Sequence, residues 1–303
     1  MRYKVAIFGA SGYLGSSIAS KLKKKYRVIG ISRSKQRYLY SKRYDGRRIL
    51  LNRFFRGVHT IIYSAGLSAK ESKGDPLHAK YVNDLLAKTI SKVAIRQKVN
   101  KVIYLSTAQV YSEKLEGIIT EKSKVINKHP YATTHRDGEK NILRINKKKG
   151  KTKGIVLRLA NIYGAPEKDG DCWNLFINQI SRQAITEKKI LIKSKTNQTR
   201  NFLSNFVFEK IIEKLIIKNN NKIKKNIFNV GGKEYKISEV VDVVIKCCKT
   251  NYKIGVDYPK NFQEDAVKLN YRVTNLRGIK IYIRDNISRE IKKLLEYCKN
   301  HSL

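Results

Sequence analysis

The segment GASGYLG, residues 9–15, follows the apolar run KVAIF and precedes a stretch with helical periodicity. Gly9, Gly12 and Gly15 are spaced so that a strand can turn tightly into a helix, leaving backbone amides bare at the helix's positive end. A pyrophosphate fits such a place, with Ser11, Tyr13 and Leu14 as its neighbours. Without a ligand the same spacing makes an ordinary tight turn, but the strand–helix–strand setting favours the phosphate reading. About 20 residues on, where a carboxylate would take the ribose hydroxyls of an unphosphorylated adenosine, the chain reads ISRSKQR. Ser32 stands where the acid should be, and Arg33 follows it. A small hydroxyl followed by a guanidinium suits a 2′-phosphate, which predicts NADP(H) with Arg33, Ser34 and Arg37 as readers, and NAD(H) as the alternative. The competing explanation is that these residues belong to a generally positive surface.

The elements that must hold this loop are legible on both sides of it. Leu14, Ile18 and Leu22 recur at helical spacing over residues 13–24, and residues 27–31 (RVIGI) read as a second strand. Residues 60–64, 101–106 and 154–159 are further strand candidates, separated by helical stretches around 77–98 and 132–148. Strands alternating with helices predict an α/β fold, a doubly wound parallel sheet. After residue 160 the pattern changes to longer polar segments with helices over 173–186, 205–218, 238–248 and 287–299. The expected organisation is a dinucleotide-binding domain over 1–160 and a smaller substrate lobe over 161–303, with some segments of that lobe returning to the main sheet. The ligand cleft is expected between them, at the carboxyl ends of the strands.

Composition narrows the partners. Sixty-five Lys and Arg against 24 Asp and Glu give a net charge of +41, a field that attracts any polyanion. Runs such as KLKKK (21–25) and INKKKGKTK (145–153) fit solvated helix ends and loops, and no recognised nucleic-acid motif accompanies them. Nucleic acid is therefore not the expected partner. Cys172, Cys247, Cys248 and Cys298 lack metal-ligand spacing, so no metal is expected and reduced thiols of a cytoplasmic protein are. No stretch approaches the ~20 apolar residues of a membrane helix, and the start runs straight into a strand, so neither a membrane nor a targeting segment is expected.

Taken in order, GASGYLG, YSAGLSA (63–69), Asn83 in the following helix, KVIYLSTAQVY (101–111), HPYATTHRDGE (129–139), LRLANIYG (157–164), TRNF (199–202) and NIFNVGG (226–232) resemble the extended short-chain dehydrogenases/reductases. These are the NAD(P)-dependent nucleotide-sugar epimerases, dehydratases and reductases. The resemblance runs nearly end to end and implies a Rossmann-type fold with a smaller C-terminal substrate lobe. It places Ala65, Gly66 and Asn83 at the cofactor with the glycine loop. Thr107 holds the substrate oxygen, Tyr131 passes the proton, and Asn161 and Arg200 face the diphosphate of a nucleotide-sugar used in polysaccharide synthesis. A homodimer through the helices near 77–98 and 131–148 is implied as well.

The family's lysine four residues after the tyrosine makes the phenol more acidic and holds the nicotinamide ribose; here that position is His135. Three readings stay open: His135 takes the lysine's role in catalysis and cofactor binding, another cation such as Arg136 helps, or turnover is lost and the chain only binds. The dehydratases of the family carry an acidic pair after the strand-end hydroxyl, where this chain has Ala108 and Gln109, which ranks dehydration below epimerisation and ketoreduction. The rival function is a catalytically weak dinucleotide sensor or an RNA-binding protein on the same fold. Trp173 reads as a helix anchor.

Overall fold

In the computed structural model, which describes residues 2–301 apart from 34–40, 149, 169, 171, 193–195 and 259–267, strands and helices alternate through the first half of the chain. The order is β1 (Lys4–Phe8), α1 (Tyr13–Leu22), β2 (Arg27–Ser32), β3 (Ser41–Arg43), α2 (Arg48–Phe54), β4 (Thr60–Tyr63), α3 (Ala69–Gly74), α4 (Pro76–Lys80), α5 (Leu86–Arg96) and β5 (Lys101–Thr107). Next come β6 (Gly117–Ile119), α6 (Pro130–Leu143), β7 (Lys153–Leu159) and β8 (Asn161–Tyr163). The remainder is α7 (Phe176–Thr186), β9 (Thr199–Ser204), α8 (Asn205–Ile217), β10 (Ile227–Val230), β11 (Lys233–Lys236), α9 (Ile237–Tyr252), β12 (Leu269–Tyr271), α10 (Thr274–Gly278) and α11 (Ile287–Asn300).

Seven strands form the main sheet in the order β10-β7-β5-β4-β1-β2-β3, every pair parallel. The period-2 alternation of buried strands explains why helices cover both faces. Val5 and Ile7 of β1 pack with α1 and α8, whereas Ala6 and Phe8 point to the other core with α2 and α5. Chain order reverses between β1 and β4, so the carboxyl ends of these two strands open a crevice at the switch point.

Later segments add to this frame. β10 extends the main sheet, β11-β9-β8 form a three-stranded sheet and β12-β6 a pair. A third core gathers α7, α9 and α11 around Val240, Val244, Ile291 and Leu294. All four cysteines are buried free thiols. The helical stretch expected over 77–98 is interrupted by a π-helical turn, Tyr81–Leu85, between α4 and α5. Among the described residues no helix is long and apolar enough to cross a membrane, and no cluster of side chains could hold a metal ion.

Candidate active site

The glycine loop depends on two close approaches. Gly9 has φ +89°, and a Cβ there would stand 2.5 Å from the Ala65 amide nitrogen. A Cβ on Gly15 would stand 2.1 Å from the Gly9 carbonyl oxygen, so this glycine lets α1 pack onto the loop. Gly12 is the N-cap of α1; no side chain caps the helix there, and its first turn carries no acid. The positive end of α1 is thereby presented to the crevice, as an anionic pyrophosphate requires. Ser11, Gly12, Tyr13 and Leu14 line that crevice, and Tyr13 Oη donates to the Gly164 carbonyl at 2.8 Å, tying the loop to the segment after β8.

At the end of β2, Ser32 is buried and Arg33 exposed, and both line the same cleft. Sheet register sets Arg43 of β3 beside Ser32, adding a second guanidinium to this wall. Ser34 and Arg37 lie outside the described residues. Across the crevice Ala65 and Gly66 follow β4. Glu71 is also on this wall, its carboxyl held below the usual range mainly by the Ser68 side chain and backbone, with Arg33 contributing.

Thr107 closes β5, Tyr131 sits in the first turn of α6, and His135 is one turn further along. Pro130 is favourable in that first turn, and His129 caps it by accepting the Tyr131 amide on Nδ1 at 3.2 Å. The Tyr131 and His135 rings meet edge to face, centroids 4.7 Å apart. Burial raises the Tyr131 phenol above its ordinary pKa, and a hydrogen bond with Thr107 partly offsets it. No cation among the described residues joins that offset. His135 is buried and its pKa is pushed down to about 4, so the ring is neutral at physiological pH. Arg136 gives no help: its Nη1 donates to the Val125 carbonyl at 3.1 Å.

Two further residues set this arrangement. The Glu139 carboxylate accepts from Arg158 Nε and Nη2, at 2.9 and 2.6 Å, and from Ser106 Oγ at 2.6 Å. The buried pair thereby locks α6 to β5 and β7 and fixes Tyr131 opposite Thr107. Asn83 lies in the π-helical turn and is fully buried, with Nδ2 donating to Thr134 Oγ1 at 3.0 Å. The sequence signalled Asn83 but neither Glu139 nor Arg158, whose pairing spans separate elements.

The far wall carries Asn161 and Arg200. Asn161 Nδ2 donates to the Asn201 carbonyl at 3.0 Å. Arg200 Nε and Nη2 donate to Gln198 Oε1 at 3.2 and 3.0 Å, and the guanidinium lies over the Phe176 ring at 5.6 Å. Glu113 and Lys114, which no motif marks, join Thr107 and Tyr131 on the lining of the cleft, whose volume is about 1770 Å³. Trp173 packs near Tyr297 of α11, centroids 6.1 Å apart, and acts as an anchor.

Residues 5–231 match the model of the NAD dependent epimerase/dehydratase family. Among solved structures the chain is similar to MoeE5 in complex with UDP-glucose and NAD, at 17% identity and TM-score 0.81, covering 99% of this chain and 100% of that one. It is similar to the UDP-N-acetylglucosamine 4-epimerase of Methanobrevibacter ruminantium M1 in complex with UDP-N-acetylmuramic acid, at 18% identity, TM-score 0.81 and 98% coverage of each chain. TunA, an NAD dependent NDP-hexosamine 5,6-dehydratase of tunicamycin biosynthesis, is also similar, at 17% identity and TM-score 0.79, covering 99% of both chains. At these identities the likeness speaks for the fold. Comparison with curated proteins finds no match.

Proposed function

The chain belongs to the NAD dependent epimerase/dehydratase family, and from that premise we propose that it is an epimerase or ketoreductase acting on a nucleotide-activated sugar. The observation that carries the reading is the convergence on one cleft of an uncapped glycine loop, the Thr107–Tyr131 pair and Arg200. The residues fit a dinucleotide: the crowded glycines bring α1's amides to the crevice, and Asn83 Oδ1 is a buried orphan acceptor behind Gly66. A bound nicotinamide supplies the taking and returning of a hydride. Thr107 Oγ1 holds the substrate oxygen, and Tyr131 Oη receives its proton as the carbonyl forms and gives one back on reduction. His135 flanks the phenol and faces the ribose side. Arg200 pairs with the substrate diphosphate, with Asn161 beside it. The 1–160 half then binds cofactor and the 161–303 lobe the sugar nucleotide.

Arg33, Ser34 and Arg43 support NADP(H), and NAD(H) is the alternative, the cofactor present in the MoeE5 complex. Leu77, Tyr81 and Leu85 are 81%, 43% and 44% exposed along the α4–α5 stretch and support pairing of two copies there. The neutral His135 beside a phenol of raised pKa favours a second reading, a dinucleotide binder with weak turnover.

The deciding experiment titrates the wild-type protein with NADP(H) and NAD(H), then screens UDP-sugars for turnover alongside Tyr131→Phe. An enzyme loses turnover in Tyr131→Phe and keeps cofactor affinity. An inactive wild type that still binds leaves the sensor reading. Binding of neither dinucleotide, with steeply salt-dependent RNA affinity, shifts the function to RNA.

A further inference from the structure

The cleft occupies the carboxyl ends of the main sheet. Toward the amino ends of β1 and β2 lies a second cavity of about 310 Å³, lined by Lys4, Arg27, Ile29, Lys42, Arg53 and Phe54, none of which lines the cleft. Strand alternation brings these side chains together. Ala6 and Phe8 of β1, and Ile29 and Ile31 of β2, face the core beneath α2, so Lys4 and Arg27, two residues earlier on each strand, share that face. Parallel register sets Lys4 beside Arg27, and Lys42 of β3 beside Ile31. Arg53 comes from the last turn of α2, next to Phe54, which packs on the same core. Because β3 pairs only with Gly30, Ile31 and Ser32, no strand among the described residues covers the Arg27–Ile29 half of β2, and the cavity lies at this notch.

Four cations meet there, and among the described residues no carboxylate joins the lining. A generally positive surface is the plain alternative. Yet where carboxylates are at hand this chain pairs its cations with them: Lys25 meets Glu213, Arg47 meets Asp45, and Arg289 and Lys293 share Glu290. Arg27 and Arg53 make no ion pair among the described residues. Lys4 Nζ donates to the Arg56 carbonyl at 2.6 Å, which uses one of its three protons and anchors the ammonium just past the end of α2. Like charges held around one cavity repel, and an anion seated between them reverses that cost. The guanidinium forks of Arg27 and Arg53 match a phosphate bidentately. Ile29 and Phe54 give the same cavity an apolar wall, which inorganic phosphate leaves unused.

We propose that this cavity is a second, non-catalytic site that binds a nucleoside phosphate, with the phosphate held by Arg27 and Arg53, Lys4 and Lys42 adding charge, and the base lying against Phe54 and Ile29. About 310 Å³ is at the small end of ligand pockets, the scale of a mononucleotide and too little for a whole dinucleotide or sugar nucleotide. The site shares no side chain with the cleft, so it stands whether or not the cleft proves to be that of an epimerase or ketoreductase.

Methyl NMR of the full chain with 13C-labelled isoleucine, the Ile29 signal assigned by Ile29→Val, reads the cavity directly. Adenosine monophosphate should shift that signal saturably, and inorganic phosphate should bind there at least about tenfold more weakly. Arg27→Ala combined with Arg53→Ala, both at exposed positions, should weaken the mononucleotide about tenfold or more at this signal and leave dinucleotide binding in the cleft as it was. Lys246→Ala combined with Lys249→Ala removes the same charge from exposed positions of α9 and should change neither. An Ile29 signal that stays put, or that responds equally to phosphate, overturns the proposal. So does an equal loss in both double variants, which makes the attraction a property of overall charge, or a parallel fall in cleft affinity, which makes the two sites one. A short single-stranded RNA that shifts Ile29 at far lower concentration than the mononucleotide overturns it too, and makes the notch part of a polynucleotide track.

Discussion

Replacing His135 with lysine should move the alkaline limb of the pH–rate profile downward. In the wild type the phenol of Tyr131 is raised by burial, and only Thr107 pulls against that shift. The reactive base is the phenolate, so at any pH below the phenol's pKa the rate of substrate oxidation rises with pH, about tenfold per unit. The His135 ring cannot help, because its pKa of about 4 leaves it neutral across that range. Its centroid is 4.7 Å from that of Tyr131. A unit charge about 5–6 Å from the phenolate at an effective dielectric of ~20 is worth roughly 3 kcal/mol, or about 2 pKa units. The sign is fixed: a cation stabilises the anionic phenolate, so the inflection falls and turnover near neutrality rises by up to ~100-fold. Initial rates of nicotinamide reduction with saturating sugar nucleotide, taken from neutral to alkaline pH for wild type and His135→Lys, provide the assay. An inflection that stays in place or moves upward refutes the claim that the missing cation controls Tyr131.

Other perturbations test the frame. Gly15→Ala forces a Cβ to 2.1 Å from the Gly9 carbonyl oxygen; dinucleotide affinity in a fluorescence titration should fall by at least about 10-fold, since α1 must retreat from the loop. Glu139→Ala leaves the Arg158 guanidinium buried and unpaired, so chemical denaturation should show a loss of about 3–5 kcal/mol. Lys101→Met should stabilise the protein. The Lys101 ammonium is 1% exposed, its pKa is pushed down by burial to about 8, and its Nζ donates to the Ile216 carbonyl at 3.0 Å. Against an ordinary lysine near ~10.4 the shift costs roughly 3 kcal/mol below both values, offset by about 1 kcal/mol for the hydrogen bond. Because the unfolded chain holds its proton to higher pH, wild-type stability rises as pH climbs from about 8 to ~10.4, and the advantage of Lys101→Met shrinks over that window in urea melts.

The half of the fold that repeats strand and helix was legible because buried parallel strands are apolar on both faces. KVAIF and RVIGI need no partner to be recognised, and the glycines that follow KVAIF are demanded by contacts only a few residues away. β3 escaped because SKR is polar, and with it went Arg43, which joins Ser32 and Arg33 on the cleft wall only through pairing with β2. The small sheets escaped as well, since KEYK is polar and LNY, though it alternates buried and exposed, is only three residues long. At the site, the family resemblance pointed to Thr107, Tyr131 and His135 but could frame position 135 only as a charge kept or lost. The surroundings recast the question. Tyr104 sits on a strand and Asn83 in a π-helical turn, with 21 and 52 residues separating Asn83 from Tyr104 and His135, and neither turns His135 into a cation. Together they orient the ring and pin its proton on the side away from the cleft. Tyr104→Phe is therefore a sharper probe of this arrangement than removal of the histidine: the ring stays, the proton is free to move to Nε2, and nitrogen NMR of the labelled histidine should report the change of tautomer while packing is kept.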